Sequence, residues 1–416
     1  MSPTTTPMTN FQNNGSLLKN KTGINLIMIN AFIYISMSLY TPYLSSYYSK
    51  AGISAIQIGL LLTIGPLVAI FIQPVWATIS DSSGRRKRIL SLVIIGSAFS
   101  MFSYYIGNTF ITFLFASFLL SLFATSIIPL SDAIILRSAK VNHLDFSKIR
   151  MGGTIGYAIM VNLSGTIVKH HPAWQFAMGF AGYIILLLFV QSLPKEEKAE
   201  INLEVIQKKP KVAMKDRINI LSIFESKQIY FLLALAFVSQ VGISFFYTFL
   251  GVYMIKLGFN EGPIGFINCV AALSEIPVLF FINRILKKTS TMKITVIACF
   301  LLGVRIFAIS GENIIFMILA QLLHGLTYMA IYYSCAVFIS NHVKPENQSK
   351  GQSVLAIVQI GLGSIVGNIL GGYLVDSMGL KNAYRTMSLL VIIASAIIIT
   401  TLIIYRKTSN SKETFQ

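Results

Sequence analysis

Long apolar segments dominate this chain of 416 residues and decide what it can fold into. A helix needs roughly 20 apolar residues to cross the hydrocarbon core of a bilayer, because every backbone polar group must find its hydrogen bond inside the segment. Twelve stretches of about that length are present. They cover residues 24–48, 56–80, 89–107, 110–136, 150–168, 173–193, 228–253, 262–283, 293–310, 313–339, 351–375 and 380–405. The sequence therefore predicts an all-α membrane protein with twelve transmembrane helices, called spans 1 to 12 below.

The composition supports a membrane protein and argues against several other classes. Charged residues make up 12% of the chain, against roughly 25% in soluble domains, and 54% of the residues are hydrophobic. Cys269, Cys299 and Cys335 all lie inside apolar spans without metal-ligand spacing, so we expect neither a disulfide nor a metal site. The glycines of span 11 follow no strand, which argues against a dinucleotide loop. We expect no cofactor.

The basic residues lie almost entirely on one side of the predicted membrane. Of the 33 Lys and Arg residues, 27 fall in the two terminal segments and the even-numbered loops, and five fall in the odd-numbered loops. Cations near the ends of spans are retained in the cytoplasm. Both termini are therefore predicted to be cytoplasmic, and the cell membrane is the expected location. The net charge of +18 is explained by topology and lipid headgroups, so nucleic acid is not an expected partner.

A polar stretch divides the chain into two halves that resemble each other. The predicted organisation is a cytoplasmic tail at 1–23, six helices at 24–193, a cytoplasmic linker at 194–227, six helices at 228–405 and a tail at 406–416. A shift of 206 residues aligns six identical residues within sixteen positions. They are Leu44, Tyr47, Lys50, Gly52, Ile58 and Gly59, which match Leu250, Tyr253, Lys256, Gly258, Ile264 and Gly265. Parallel repeats of this kind enclose a cleft in which transporters bind their substrates.

Several local motifs carry a family resemblance. The loop between spans 2 and 3, Asp81-Ser82-Ser83-Gly84-Arg85-Arg86-Lys87-Arg88, resembles the signature loop of the major facilitator superfamily, from which it departs at Ala77 and Ser82. The remaining motifs are most similar to the branch of lactose-permease-like and phenylpropionate-permease-like proteins. They are Gln57-Ile58-Gly59, Pro129-Leu130-Ser131-Asp132-Ala133, residues 149–157 (IRMGGTIGY), Leu323-His324-Gly325-Leu326 and Gly361-Leu362-Gly363. The resemblance covers essentially the whole chain. It implies two six-helix bundles and a secondary transporter for a small molecule such as a sugar, nucleoside or aromatic acid.

The resemblance also implies a gate at the cytoplasmic ends of the helices. Its candidate residues are Asp81, Gly84, Arg85, Arg86 and Arg137. A carboxylate in this position can pair with a nearby cation or with a helix N-terminus in one conformation and lose that partner in the other. The alternative is an anchor that contacts only lipid headgroups.

Few charged residues or histidines lie well inside the spans, and four of them are candidate site residues. Asp132, Glu275, Arg305 and His324 are candidates for proton coupling, because a carboxylate that moves between dry and paired surroundings can bind and release a proton. Glu275, Arg305 and His324 resemble a set that acts in sugar binding and proton transfer in lactose permease. A second carboxylate, found one turn after the histidine there, is missing here, so Na⁺ stays open as the coupling ion. The alternative is a fixed buried ion pair between Glu275 and Arg305.

Substrate contacts are expected from the helices that line the cavity in this superfamily. His324, Tyr328 and Tyr332 lie at i, i+4 and i+8 of span 10 and therefore share one face. Aromatic rings with polar tips suit the substrates named above. The other candidates are Asn30, Tyr34, Gln240, Ser244 and Tyr247. Each of these polar groups could instead form an interhelical hydrogen bond.

Two directions of transport stay open. The first hypothesis is a monomeric, proton-coupled importer that works by alternating access, and the second is a proton-coupled exporter of drugs or metabolites. An enzyme is not expected, because the sequence carries no metal-binding pair, nucleophile elbow or phosphate loop.

Overall fold

The computed structural model describes residues 21–193, 226–344 and 347–413, so most of the predicted linker and both chain ends lie outside the described residues. The helices are α1 (Lys21–Lys50), α2 (Ala55–Ser83), α3 (Arg86–Tyr105), α4 (Phe110–Val141), α5 (Phe146–Val168), α6 (Trp174–Gln191), α7 (Gln228–Lys256), α8 (Glu261–Lys288), α9 (Thr291–Ile309) and α10 (Ile314–His342). A last apolar stretch, Lys350–Tyr405, is broken at Gly379, where φ is 77° and ψ is 163°, into α11 and α12. The prediction of twelve membrane helices is confirmed.

Several helices extend further into the polar loops than hydropathy alone predicted. Span 4 was expected to end at residue 136, but α4 continues to Val141. Arg137 is therefore helical and does not lie in a loop as expected. Side chains such as Phe71, Phe118 and Phe280, which are exposed in the isolated chain, face outward where lipid surrounds the protein. An apolar outer surface, which would be unfavourable in water, is expected for a helix bundle surrounded by lipid.

The turn after the first helix of each half shows the internal repeat in backbone form. Gly52 and Gly258 adopt φ of 80° and 87°, in the left-handed region that glycine reaches without strain. In the first half, the next helix starts with a capping box, in which the Ser54 hydroxyl accepts from the Gln57 backbone amide and the Gln57 side chain accepts from the Ser54 amide. The two halves therefore begin with the same turn.

The two halves meet closely at one face of the membrane. We call the face with residues 51–54 and 257–260 the distal face, and the opposite face, where the described chain begins and ends, the terminal face. A Cβ on Gly59 of α2 would strike the carbonyl of Asn368 on α11, and one on Gly265 of α8 would strike the carbonyl of Val161 on α5. Only a residue without a side chain permits these backbone contacts.

The contacts between the halves named above lie near the starts of α2 and α8, at the distal face. Further from that face, charged side chains of both halves keep exposed surface, since Asp132, Arg150 and Glu275 are 29%, 45% and 17% exposed. Charged groups inside a membrane protein face a water-filled space rather than lipid, so we interpret this exposed surface as a cleft that is closed at the distal face and open toward the terminal face.

The glycine contacts predict that an added methyl group opens the distal face. In Gly59→Ala the new Cβ meets a backbone carbonyl that cannot swing away, so we expect the halves to part. The reporter is Ser45→Cys, since Ser45 is buried and its Oγ lies 3.0 Å from the Cβ position of Gly251 in the other half. Labelling by a membrane-impermeant maleimide added at the distal side should become several-fold faster.

Gly65→Ala is the matched control on the same helix. The nearest atom to its added Cβ is the Ser121 Oγ at 3.9 Å, an ordinary contact within one half. Equal labelling rates for Gly59→Ala and the parent would contradict a glycine-dependent seal.

Candidate functional site

His324 lies at the centre of a hydrogen-bonded network in the second half. Its Nε2 is 3.0 Å from the Glu275 Oε1 of α8, and its Nδ1 is 2.9 Å from the Tyr247 hydroxyl of α7. The His324 side chain is 8% exposed and that of Glu275 is 17% exposed. Helices α7, α8 and α10 therefore bring three of the predicted site residues into direct contact. Within the Glu275–His324 pair, Glu275 is the more exposed side chain.

Arg305 on α9 is completely buried and supports the same network. Its guanidinium donates to the Tyr247 hydroxyl at 2.8 Å, to the Gln321 Oε1 at 2.7 Å, to the Thr327 Oγ1 at 3.2 Å and to the Ala320 carbonyl at 2.9 Å. It also lies 4.2 Å from the centroid of the Phe246 ring, an attractive cation–π arrangement.

The fixed ion pair between Glu275 and Arg305, considered as an alternative, is not formed. Within the described part of the chain, no carboxylate lies at ion-pair distance from Arg305. Neutral oxygens and an aromatic ring satisfy the guanidinium, while Glu275 is bonded to His324. Gln321 was missed by the sequence analysis, although its position one turn before His324 was a signal. It is fully buried, and its Nε2 has no partner in this structure.

The donor chemistry orders the protons in this network. A guanidinium can only donate, so the Tyr247 oxygen accepts from Arg305 and its own proton is free for the Nδ1 of His324. A neutral His324 then carries its proton on Nε2 and donates it to the Glu275 carboxylate. The result is a continuous chain of donors from Arg305 through Tyr247 and His324 to Glu275.

A close contact between two backbones positions His324 beside Glu275. Residues Gly325–Met329 form a π-helical turn in α10, a feature that is frequent at functional sites. The Gly325 amide donates to the Ser274 hydroxyl at 3.0 Å, and a Cβ on Gly325 would collide with the Ser274 carbonyl. Because Glu275 follows Ser274 and His324 precedes Gly325 in the chain, this backbone contact holds the Glu275 and His324 side chains next to each other.

The aromatic face predicted for span 10 is present despite the π-helical turn. The rings of His324 and Tyr328 are stacked with centroids 5.0 Å apart, and those of Tyr328 and Tyr332 with centroids 6.4 Å apart. Exposure increases along this row, because His324 is buried, Tyr328 is half-buried and Tyr332 is 41% exposed. The row therefore runs from the network into the open cleft.

A second cluster lies in the first half. The Arg150 guanidinium of α5 donates to Asp132 of α4 at 3.1 Å and to the Tyr34 hydroxyl of α1 at 3.3 Å. The Asp132 and Arg150 side chains are 29% and 45% exposed. Arg150 was missed as a site residue, because its place in the first turn of span 5 suggested only a cation at the membrane boundary.

The two clusters face each other across the cleft. Tyr34 and Arg150 in the first half lie within electrostatic range of Tyr332 in the second half, and Tyr34 is also within range of Glu275. Polar and charged groups of both halves therefore converge on one space near the middle of the protein. In the described residues no group of three or more His, Cys, Asp or Glu side chains could hold a metal ion.

Three predicted substrate contacts are engaged in packing between helices. The Asn30 Oδ1 accepts from the Gly153 amide at 3.1 Å, which joins α1 to α5. The Gln240 Nε2 donates to Ser244 at 3.1 Å and to Ser364 of α11 at 3.0 Å. The bonds of Asn30 to Gly153 and of Gln240 to Ser364 match the interhelical alternative, whereas the Gln240–Ser244 bond lies within α7. A role in substrate binding stays a prediction for all three residues.

The predicted gate residues lie at the terminal face. Asp81 and Arg86 form an ion pair of 3.0 Å between the ends of α2 and α3, across the turn made by Gly84, whose φ is 62°. Arg85 and Arg137 are exposed. The Asp81–Arg86 pair lies within the first half, so a role in closing the cleft stays a prediction.

Comparison with known proteins agrees with this architecture. The model of the MFS_1 like family matches residues 24–386. The chain is 23% identical to the maltose permease of Geobacillus stearothermophilus over 88% of this chain and 91% of that protein. It is 21% identical to the probable 3-phenylpropionic acid transporter of Escherichia coli (strain K12), over 83% and 89% of the two chains.

A solved structure shares the fold at lower sequence identity. The crystal structure of the nucleoside transporter NupG has a TM-score of 0.75 at 16% identity and covers 91% of this chain and 98% of that one. Since the family model spans most of the sequence, this chain belongs to the MFS_1-like family of the major facilitator superfamily and is a multi-pass membrane transporter of a small molecule, not an enzyme.

Proposed function

We propose that the protein is a proton-coupled symporter that moves a small hydroxylated or aromatic solute, such as a sugar, nucleoside or aromatic acid, by alternating access. It works as a monomer in the cell membrane, with both termini in the cytoplasm. The terminal face is then the cytoplasmic face, and the described conformation faces inward. The observation that carries this proposal is the Glu275–His324 pair at the edge of an open cleft.

Proton coupling is supported by the accessibility and order of the hydrogen-bonded network. Glu275 is the more exposed member of the Glu275–His324 pair, with a side chain 17% exposed against 8% for His324, and Arg305 at the other end of the network is completely buried. If His324 takes up a proton on Nδ1, it donates to the Tyr247 hydroxyl, which must turn away toward Gln321, 3.5 Å distant. A proton gained at His324 therefore reorients the hydrogen bonds between α7 and α10, and this links protonation to helix position.

Recognition of a polar solute is supported by the second cluster. The Asp132–Arg150 pair offers a carboxylate acceptor and a planar donor side by side, both partly exposed to the cleft. Such a pair suits vicinal hydroxyl groups, and the Tyr328–Tyr332 row opposite offers ring surface for an apolar or aromatic face. Relatives named for maltose and for nucleosides carry solutes of this kind.

The first test separates coupling from binding. Glu275→Gln keeps a hydrogen-bonding side chain beside His324 but cannot exchange a proton, so we expect solute accumulation driven by a pH gradient to fall at least tenfold. Solute exchange without a gradient should continue. Both rates are measured with radiolabelled solute in proteoliposomes, and the pH gradient is imposed in either direction to distinguish import from efflux.

Glu312→Gln is the control for this test. Glu312 lies in the loop between α9 and α10 at the distal face, whereas Glu275 lies inside α8. Undiminished gradient-driven accumulation by Glu275→Gln would refute the assignment of the proton site. A requirement for Na⁺ without any response to the pH gradient would refute proton coupling altogether.

The second test concerns the Asp132–Arg150 pair. A panel of maltose, uridine and 3-phenylpropionate is first screened by the increase in melting temperature of the purified protein. For the solute that stabilises it, Arg150→Ala should weaken binding by about tenfold to a hundredfold, the range of one to two hydrogen bonds to a charged group. Calorimetry measures the dissociation constant.

Arg150→Lys is the matched variant, since it keeps the charge and loses the planar fork of donors. We expect an affinity between those of the parent and Arg150→Ala. Binding by Arg150→Ala that is as tight as in the parent would contradict a substrate role for this pair.

A further inference from the structure

Two polar contacts join the halves at the distal face, one on each side of the cleft. On one side the Lys50 ammonium at the end of α1 is 2.6 Å from the Glu261 carboxylate at the start of α8. On the other side Asp376 near the end of α11 accepts from the first two amides of α2, with Ala55 N to Oδ1 at 3.0 Å and Ile56 N to Oδ2 at 2.9 Å. The Asp376 carboxylate therefore caps a helix of the opposite half.

The Asp376 carboxylate supplies the negative group that is missing from the first turn of α2. The first turn of α2 has no acidic residue, and Ser54 and Gln57 already satisfy one another. The amides of Ala55 and Ile56 point out of the helix start without a partner in their own half, and a carboxylate near a helix N-terminus is stabilising. When the halves part at the distal face, α2 loses this acceptor.

The internal repeat shows that corresponding positions of the two halves carry different charges at the distal face. Gly59 and Gly265 are 206 residues apart, as are Ala55 and Glu261, so α8 carries at its start the acid that α2 does not have. Lys169 directly follows α5, the helix that faces α8, and its Cδ lies 3.9 Å from the Cβ position of Gly262. Near the corresponding end of α11, the helix that faces α2, the charged residue is Asp376.

In both of these contacts between the halves, the negative group belongs to the second half and the positive group to the first. Glu261 and Asp376 face Lys50, Lys169 and the positive end of α2. Glu261 is 1% exposed, its Oε2 has no partner in the closed arrangement, and the Lys50 ammonium is the cation beside its Oε1. A buried carboxylate that loses its cation is strongly disfavoured.

We propose that these two contacts form a latch that holds the distal face shut, in which the second half caps α2 in trans. The inference rests on the alternating-access part of the proposed function, because it requires that the distal face can open. The latch sets how often the empty protein opens outward, independently of which solute it carries and of which ion drives it.

The test measures opening with the Ser45→Cys reporter and an impermeant maleimide at the distal side, after subtraction of labelling on the native cysteines. Asp376→Ala should speed labelling by roughly tenfold, and Asp376→Asn, which keeps the shape and loses the charge, by less. Lys50→Ala should speed it more than Glu261→Gln, because only the former leaves a buried carboxylate without its cation. Each variant is first checked for a monodisperse elution profile and an unchanged melting temperature.

Glu312→Gln is the matched control. The Glu312–Lys381 pair, at 2.7 Å, also lies at the distal face but entirely within the second half. The hydrogen bonds from Lys381 and Tyr253 hold the pKa of Glu312 below its ordinary value, so this carboxylate is ionised at neutral pH. Its loss should leave the labelling rate unchanged.

The outcomes separate the latch from the transport mechanism. If Gly59→Ala speeds labelling while the Asp376 and Lys50 variants do not, the latch is overturned and alternating access stands. If Glu312→Gln opens the face as much as Asp376→Ala, the effect is general surface charge and the latch is also overturned. If even Gly59→Ala has no effect, the distal face does not open and both proposals fail.

Discussion

The need to bond every backbone polar group inside lipid is the constraint on which the rest of this structure depends. It restricts the chain to helices within the membrane, and it leaves the cleft between the halves as the place where charged side chains can meet water and each other. Asp132, Arg150 and Glu275 follow this rule, since each is partly exposed and hydrogen-bonded to a neighbour from another helix. The same constraint makes close packing depend on glycine, because helices in lipid gain little from burying apolar surface against each other.

Arg305 shows how a buried cation can be held without a carboxylate. Its guanidinium uses four of its five N–H donors on oxygen acceptors and lies over the face of Phe246, and among the described residues no carboxylate compensates its charge. This leaves Glu275 free to pair with His324.

The two halves are alike in backbone and different in chemistry. Both begin with the same glycine turn, and both seal the distal face through a glycine at the same position of the second helix. The hydrogen-bonded network of Glu275 and His324 lies in the second half, however, and the exposed Asp132–Arg150 pair lies in the first. A duplicated scaffold thus places two different sets of side chains on opposite walls of one cleft, and a solute bound between them would sense both.

The sequence by itself determined the number of helices, their order and most of the residue types at the centre, because hydrophobic length and residue identity are local properties. It could not assign partners. Glu275 pairs with His324 rather than Arg305 because the backbones of α8 and α10 touch at Gly325, and Arg150 joins the site because α4 and α5 bring it to Asp132. Asp376 caps a helix that lies more than 300 residues earlier in the chain. Such contacts depend on how closely helices approach and how they are rotated about their axes, and only the packing of all twelve decides that.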